Sequence, residues 1–213
     1  MLELTPDELL STTRSVRKRL DLERPVDRSI IEECIDLAVQ APSGSNTQRW
    51  HWVVVTDADL KAKIAEHYAA NFDPYFASAG ASYDEGDPRG QRQAAVSESA
   101  KYLRDHLHEV PAMVIPCQWG RVSEGAGTTE QAGYWGSILP AVWSFMLALR
   151  ARGLGSAWTT LHLPHERQVA ELLGIPYERC TQAGLFPVAH TIGTDFKKAS
   201  RLPAADVIHW DAW

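Results

Sequence analysis

A long apolar segment in the second half of the chain limits the folds that this sequence can adopt. Residues 135–152 carry apolar side chains on nearly every side of a helix, from Trp135 to Leu149. A helix without a polar stripe lies either at the centre of a protein or between subunits. Pro140 fits such a helix in its first turn or at a kink. We therefore expect a central helix that other elements or a second subunit cover.

The other segments alternate between helix and strand without a regular repeat. Asp27 or Ser29 suits the start of the clearest amphipathic helix, at residues 27–41. The pattern predicts helices at 6–19, 27–41, 57–70, 91–108, 135–152 and 164–173. It predicts strands at 52–56, 112–117, 156–161 and around 182–189, with irregular segments at 71–90 and 118–131 and an extended C-terminal tail. This mixture favours an α+β fold, with helices around a mostly antiparallel central sheet.

The glycines of Gly153-Leu154-Gly155 follow the long apolar helix and precede a predicted strand. Glycine at this place ends a helix. A dinucleotide-binding glycine turn has the opposite order, because it follows a strand and opens a helix. These glycines therefore do not indicate a Rossmann fold.

Composition and charge exclude several classes of protein. A chain of 213 residues is most simply one domain, and its net charge of −6 argues against a nucleic-acid partner. No apolar run approaches the ~20 residues that span a membrane, and the first residues lack the pattern of a signal peptide. We expect a cytoplasmic protein without a membrane partner.

The sequence contains no recognisable metal or disulfide motif. Its three cysteines are far apart, and Cys34 falls on the apolar face of helix 27–41, where we expect a buried thiol. His106 and His108 lie on a charged predicted helix and suit solvation better than ligation. No metal site is predicted.

A polar turn lies between helix 27–41 and strand 52–56. Within it, Ser43, Asn46 and Gln48 supply neutral donors and acceptors close together in the chain. Such a cluster suits a flat heteroaromatic ring with polar edges, whereas an ordinary surface loop is the alternative interpretation.

Four short motifs in this order resemble the FMN-dependent nitroreductase family over nearly the whole chain. They are Arg14-Ser15-Val16-Arg17, Pro42-Ser43 with Asn46, Gln48 and Trp50, Gly153-Leu154-Gly155-Ser156-Ala157-Trp158, and Arg201-Leu202-Pro203. Residues 71–135 match poorly, and this is the region in which family members differ in substrate. The resemblance implies a single FMN-binding domain over residues 1–213, with a variable lid at about 71–135.

The resemblance also implies how FMN is held. Arg14 and Arg201 match the phosphate-binding positions, with the hydroxyl of Ser15 beside them, because arginine pairs well with phosphate oxygens. Lys198 is a further candidate, although the family often has its basic residue where this chain has Ala199. Arg17 matches a basic position at the pyrimidine end of the ring, where a cation stabilises the reduced flavin.

Two further segments match positions near the isoalloxazine ring. The turn with Pro42, Ser43, Asn46 and Gln48 is implied to reach the flavin bound mainly to the other subunit, so that the site exists only in a homodimer. The backbone at Leu161 and His162 matches the segment beside flavin N5. The His162 side chain then either lies near the substrate or has a purely structural role at the end of the strand.

The activity implied is the reduction of nitroaromatic compounds, quinones or similar planar acceptors by a ping-pong transfer of hydride from NADH or NADPH. Because the flavin carries the chemistry, no catalytic protein residue is expected. One alternative is a specialised branch of the family, which performs reductive dehalogenation, flavin cleavage or enoyl-type reduction. Another is a flavin-binding storage or regulatory protein with little turnover. Trp210 and Trp213 near the end of the chain are expected to pack against the partner subunit.

Overall fold

The computed structural model describes residues 1–78, 83, 87 and 90–213. The helices within them are α1 (Pro6–Thr12), α2 (Arg28–Ala38), α3 (Ala58–Ser78), α4 (Gln93–His106), α5 (Thr128–Ala151) and α6 (Glu166–Leu173). The strands are β1 (Trp50–Val55), β2 (Ala112–Trp119), β3 (Leu154–Ser156), β4 (Cys180–Gln182) and β5 (Phe186–His190). Short 3₁₀ turns join several of these elements.

The strands form one sheet in which every strand pairing is antiparallel. Its order is β1-β2-β5-β3, and β4 pairs with the end of β2. Strand β2 pairs with β1 along one edge and with β5 and then β4 along the other. The expected α+β fold with a mostly antiparallel sheet is therefore confirmed.

Helices cover both faces of the sheet and enclose two apolar clusters. Alternate residues of β2 divide between them, since Ala112 and Val114 pack with α2 and α5, while Met113, Ile115 and Cys117 pack on the side of α3, α4 and α6. Because both faces of β2 are buried, its sequence is a nearly continuous apolar run and does not alternate between apolar and polar residues. This central strand lies within residues 71–135, so a lid from that region would come from the parts before and after β2.

Helix α5 is the central helix that the apolar pattern predicts, but it is longer than expected. It begins at Thr128 rather than at residue 135, and residues 128–131 are helix instead of loop. Pro140 therefore lies in the helix interior and not in its first turn. In length and hydropathy α5 is the one helix of the described residues that meets the requirement for crossing a membrane. Core helices meet it too, and Ile138, Val142, Phe145 and Leu149 of α5 are fully buried against α2 and the sheet.

Several predicted boundaries are wrong, each for a physical reason. Helix α1 ends at Thr12, because the chain continues as an extended segment that bridges Ser15 to Ser156 of β3. Helix α3 continues through Pro74 to Ser78, since its apolar stripe extends to the fully buried Phe72. Residues 71–78 are thus helical, and the rest of the predicted irregular segment 71–90 lies largely outside the described residues.

The predicted strands shift as well. Of the strand expected at 156–161, only Ser156 lies in a strand, at the end of the short β3. An isolated bridge between Thr159 and Leu185 follows it. The strand expected around 182–189 divides into β4 and β5, because Gly184 interrupts it with a φ of +157°. Cys34 is fully buried, as expected, and burial raises the pKa of its thiol to about 11. The C-terminal segment after residue 200 is exposed, with one 3₁₀ turn at Ala204–Asp206.

Candidate functional site

The segment that carries Arg14 and Arg17 is held against the sheet edge. The Val16 backbone N–H donates to the Ser156 carbonyl at 2.8 Å, and the Val16 side chain is buried. Gly155 permits this approach, since a Cβ at that position would lie 2.9 Å from the Val16 Cβ and 2.8 Å from the Thr191 methyl group. The Gly-Leu-Gly motif thus ends α5 and also seats the arginine segment beside β3.

The charges of two arginines from distant parts of the sequence act on Arg14. Burial lowers the pKa of Arg14, and the positive charges of Arg92 and Arg201 lower it further. No hydrogen bond or ion pair with a carboxylate compensates Arg14 in the part of the chain that the structure describes. Guanidinium groups gathered without an acid favour an anion between them, and phosphate is the anion that arginine pairs best. This arrangement fits the phosphate of FMN.

Arg17 lies beside α3 and α4, the helices that carry its neighbours Tyr68 and Ser99. Its Nη1 lies 3.4 Å from the Ser99 hydroxyl, which is a weak contact for a charged group. Burial lowers the pKa of Arg17, and the neighbouring Tyr68 opposes that shift. A half-buried cation with so little compensation suits an electron-rich ring edge.

The polar turn at residues 43–48 is anchored on α5. The Gly44 N–H donates to the Ser137 hydroxyl at 3.0 Å, and the Gln48 N–H donates to the Ser43 hydroxyl at 3.1 Å. The Gln48 amide also donates to Asn46 Oδ1 at 2.9 Å. These contacts hold a turn whose polar side chains are otherwise exposed.

The same turn holds an unusual backbone. Ser45, Asn46 and Gln48 have φ values of +51°, +54° and +48°. The left-handed region costs a residue other than glycine about 1–2 kcal/mol. Strain of this kind is concentrated at binding sites, where the surrounding contacts maintain it. The strained backbone favours a binding role for the turn over the interpretation as an ordinary surface loop.

His162 occupies an enclosed position behind the sheet. Its side chain is fully buried, and neither ring nitrogen has a hydrogen-bond partner. Burial lowers the pKa of His162 to about 4, an effect that the neighbouring Gln182 partly opposes. The imidazole is therefore neutral, and its side chain does not reach the open surface. Leu161 beside it is half-buried and packs on the core.

The structure does not bring all the predicted residues into one place. Lys198 is exposed, and its charge acts on Glu8, the residue that caps the start of α1 with Thr5. Ser15 and Pro42 are exposed. Within the described residues, no hydrogen bond or ion pair joins the turn at 43–48 to Arg14, Arg17 or Arg201. In a single chain the turn and the arginines therefore have no direct polar contact among the described residues.

Helix packing adds residues to the candidate site that no sequence motif indicates. Arg92 precedes α4, Tyr68 belongs to α3, Ser99 belongs to α4 and Ser137 belongs to α5. None of them sits in a recognisable motif, because each joins the site only through the packing of its helix. A local pattern search has no signal for such residues.

Comparison with known proteins places this architecture in a family. A sequence model described as the nitroreductase family matches residues 10–190. The chain belongs to the nitroreductase family. Iodotyrosine deiodinase of Drosophila melanogaster is 27% identical over 163 residues, which span 72% of this chain and 51% of the deiodinase.

Solved structures agree on the fold. An oxidised iodotyrosine deiodinase bound to FMN and 3-iodo-L-tyrosine superposes with a TM-score of 0.72 at 22% identity, over 97% of this chain and 99% of the other. The FMN- and NADPH-dependent nitroreductase NfnB of Sphigopyxis sp. strain HMH superposes with a TM-score of 0.70 at 23% identity, over 99% of this chain and all of the other. These likenesses show a nitroreductase-like fold.

Proposed function

We propose that this protein is an FMN-dependent NAD(P)H oxidoreductase that reduces nitroaromatic compounds, quinones or similar planar acceptors. Arg14 carries the proposal, because it has no compensating carboxylate among the described residues and the charges of Arg92 and Arg201 act on it. A phosphate bound between them relieves the mutual repulsion of the three guanidinium groups. Family membership and the FMN- and NADPH-dependent relative of the same fold support the choice of cofactor and reductant.

The residues of this chain have separate roles in the proposed site. Arg14 and Arg201 bind the phosphate, with Arg92 as a third cation and Ser15 and Lys198 at the margin. Arg17 lies where its charge can stabilise added electrons at the pyrimidine edge of the ring. Leu161 and the backbone of His162 border the ring. FMN held by these residues would supply hydride-transfer chemistry, with NADH or NADPH as the reductant and the planar acceptor as the oxidant.

The proposed active form is a cytoplasmic homodimer, completed by the partner. The turn with Pro42, Ser43, Asn46 and Gln48 has no hydrogen bond or ion pair with Arg14 or Arg17 among the described residues, yet its strained backbone suits a binding role. A partner subunit would bring its own copy of this turn to the flavin. The exposed Trp210 and Trp213 would be covered in the same assembly.

A test begins with the purified protein. We expect a yellow preparation with about one FMN per chain, and bleaching of the flavin within seconds of anaerobic addition of NADH or NADPH. A nitroaromatic compound or a quinone should then restore the colour. A colourless protein that takes up no added FMN would overturn the proposal.

Reductive dehalogenation is the second candidate function. A curated relative and a solved structure of the same fold are both iodotyrosine deiodinases. The same anaerobic experiment separates the two candidates. Reoxidation of the reduced flavin by 3-iodo-L-tyrosine, with release of iodide, favours the dehalogenase, whereas reoxidation by a nitroaromatic compound alone favours the nitroreductase. A flavin that dithionite reduces and NAD(P)H does not would indicate a storage or regulatory protein.

A further inference from the structure

Two histidines far apart in the sequence face each other outside the residues assigned above. His67 lies on α3, and His165 lies in the turn that precedes α6. Their Nδ1 atoms are 3.3 Å apart, while the ring centres are 5.2 Å apart with the rings inclined at 79°. The Nδ1 corners of the two rings are therefore directed toward each other. Both side chains are half-buried.

Hydrogen bonding accounts poorly for this arrangement. The Asn71 amide donates to the His67 carbonyl at 2.9 Å and also lies 3.3 Å from His165 Nδ1. A neutral imidazole nitrogen has a single lone pair. His165 Nδ1 therefore cannot accept well from both Asn71 and His67, and at 3.3 Å either bond is long.

The same separation suits two ligands of one metal ion. Imidazole nitrogens bind zinc at ~2.0–2.1 Å, and at the tetrahedral angle two of them lie ~3.3 Å from each other. Imidazole is a good ligand for zinc, nickel and copper. We propose that His67 and His165 form a site for a divalent transition-metal ion, with Zn²⁺ as the ion that the spacing fits best.

One polar side chain stands near the pair. The Asn71 amide nitrogen lies 3.3 Å from His165 Nδ1 and is held there by its hydrogen bond to the His67 carbonyl, so it flanks the ion without binding it. Water completes the shell, since the histidine pair is only half-buried. A bound ion links α3 to the turn before α6, and these elements otherwise meet mainly through apolar packing. No motif predicts this site, because its two histidines are 98 residues apart.

A second histidine pair provides a matched control. His106 Nδ1 lies 2.8 Å from Glu109 Oε1, and His108 Nε2 lies 3.7 Å from the same oxygen. These rings already have a carboxylate partner, and their side chains are 38% and 50% exposed. In the described part of the chain no ion pair joins His67 or His165 to an acid. The two pairs thus differ in geometry while offering the same ligand type.

The experiment titrates Zn²⁺ into the chelator-treated full-length protein by calorimetry, with Co²⁺ as a spectroscopic probe of tetrahedral coordination. We expect one ion per chain, and a loss of affinity of about tenfold or more in His67→Gln and in His165→Gln. The His106→Gln/His108→Gln double variant should bind as wild type does. Zinc should also raise the melting temperature of wild type by roughly 3 °C or more, but not that of either single variant.

Three results would overturn the site. They are unchanged zinc affinity in both single variants, loss of binding in the His106/His108 control instead, and absence of the visible bands of tetrahedral Co²⁺ in wild type. Circular dichroism of the metal-free variants establishes that they fold. If one single variant does not fold, the other gives the same answer. The experiment requires neither reductant nor acceptor substrate, so its outcome is independent of the proposed reaction.

Discussion

At the residue scale, charge without a partner marks the candidate site. Arg14 and Arg17 are partly buried, although neither has a carboxylate partner in the described residues. Some partly buried arginines elsewhere in the described chain do pair with a carboxylate, although the buried Arg150 does not. Arg121, for example, binds the Glu166 carboxylate with two nitrogens, at 2.8 and 3.3 Å. The contrast shows that the fold can compensate an arginine and does not do so at the site.

The first prediction concerns Arg14. Replacement in Arg14→Ala should weaken FMN binding by about 1.5–3 kcal/mol, the usual contribution of a hydrogen bond to a charged group. A fluorescence titration with FMN measures the change. Arg28→Ala, at an exposed position of α2, is the control and should bind FMN as wild type does. Equal FMN affinity of the Arg14 variant and wild type would show that Arg14 is an ordinary solvated residue without a role in FMN binding.

The second prediction concerns pH and His162. Because burial lowers the folded-state pKa of His162 to about 4, the unfolded chain binds this proton first as the pH falls. The resulting stability is fully present above pH ~6.5 and is lost progressively between pH ~6.5 and 4. It amounts to roughly 3 kcal/mol over that interval.

Urea denaturation of wild type and His162→Leu at several pH values measures this effect. Leucine cannot titrate, so the free energy of unfolding of the variant should fall less steeply below pH 6.5. The two slopes are compared rather than the absolute stabilities, since the substitution also changes packing. Parallel slopes would show that His162 does not titrate below its ordinary range.

At the scale of elements, the junction of α5, β3 and the arginine segment controls the site. Gly153, with a φ of +74°, ends α5, and the next two residues enter β3 beside Val16. The arginines are placed by this packing rather than by a helix of their own. The position of Arg14 and Arg17 therefore depends on how closely the chain can approach Gly155.

The third prediction tests that dependence. In Gly155→Ala the new methyl group meets Val16 at 2.9 Å and Thr191 at 2.8 Å, so the segment must shift. We expect a loss of about 1–3 kcal/mol of stability and weaker FMN binding. Gly136→Ala, in the interior of α5 with no atom of the chain near the added carbon, is the matched control for stability and should leave it unchanged or slightly higher. Full FMN affinity in the Gly155 variant would contradict the role of this contact.

At the scale of the whole molecule, one chain leaves large apolar side chains uncovered. Trp210 and Trp213 are 84% and 101% exposed, and Trp143 on α5 is 38% exposed. Val207 and Ile208 add to the apolar character of the C-terminal segment. Exposed indoles in such number suit a contact surface better than water.

The fourth prediction is a homodimer at all workable concentrations, with an interface above ~2,000 Å² as obligate dimers have. Sedimentation analysis measures the mass of the FMN-loaded protein. Dissociation of the dimer should release FMN. Deletion of residues 205–213 should weaken both dimerisation and flavin retention. A monodisperse monomer that keeps its flavin would refute the shared site, and an unaffected deletion variant would leave the interface to α5 alone.

The sequence by itself determined the class of fold and the family. Apolar periodicity located the main helices and the strand Ala112–Trp119, because burial of one face or of all faces leaves a local pattern. The Arg14-Ser15-Val16-Arg17 and Gly153-Leu154-Gly155 motifs could be recognised because their residues are neighbours in the chain. The end of α1 could not be predicted, because the chain leaves the helix at Thr13 in order to pair with the distant β3.

Only the tertiary structure decided which side chains meet. The charges of Arg92 and Arg201 reach Arg14, and His67 meets His165, through the packing of separate elements. Likewise, His162 is fully buried beside Gln182 of β4, which lies 20 residues further along the chain. A local pattern records which face of an element is apolar. Contacts between distant polar groups depend on how those faces stack, and no short stretch of sequence carries that information.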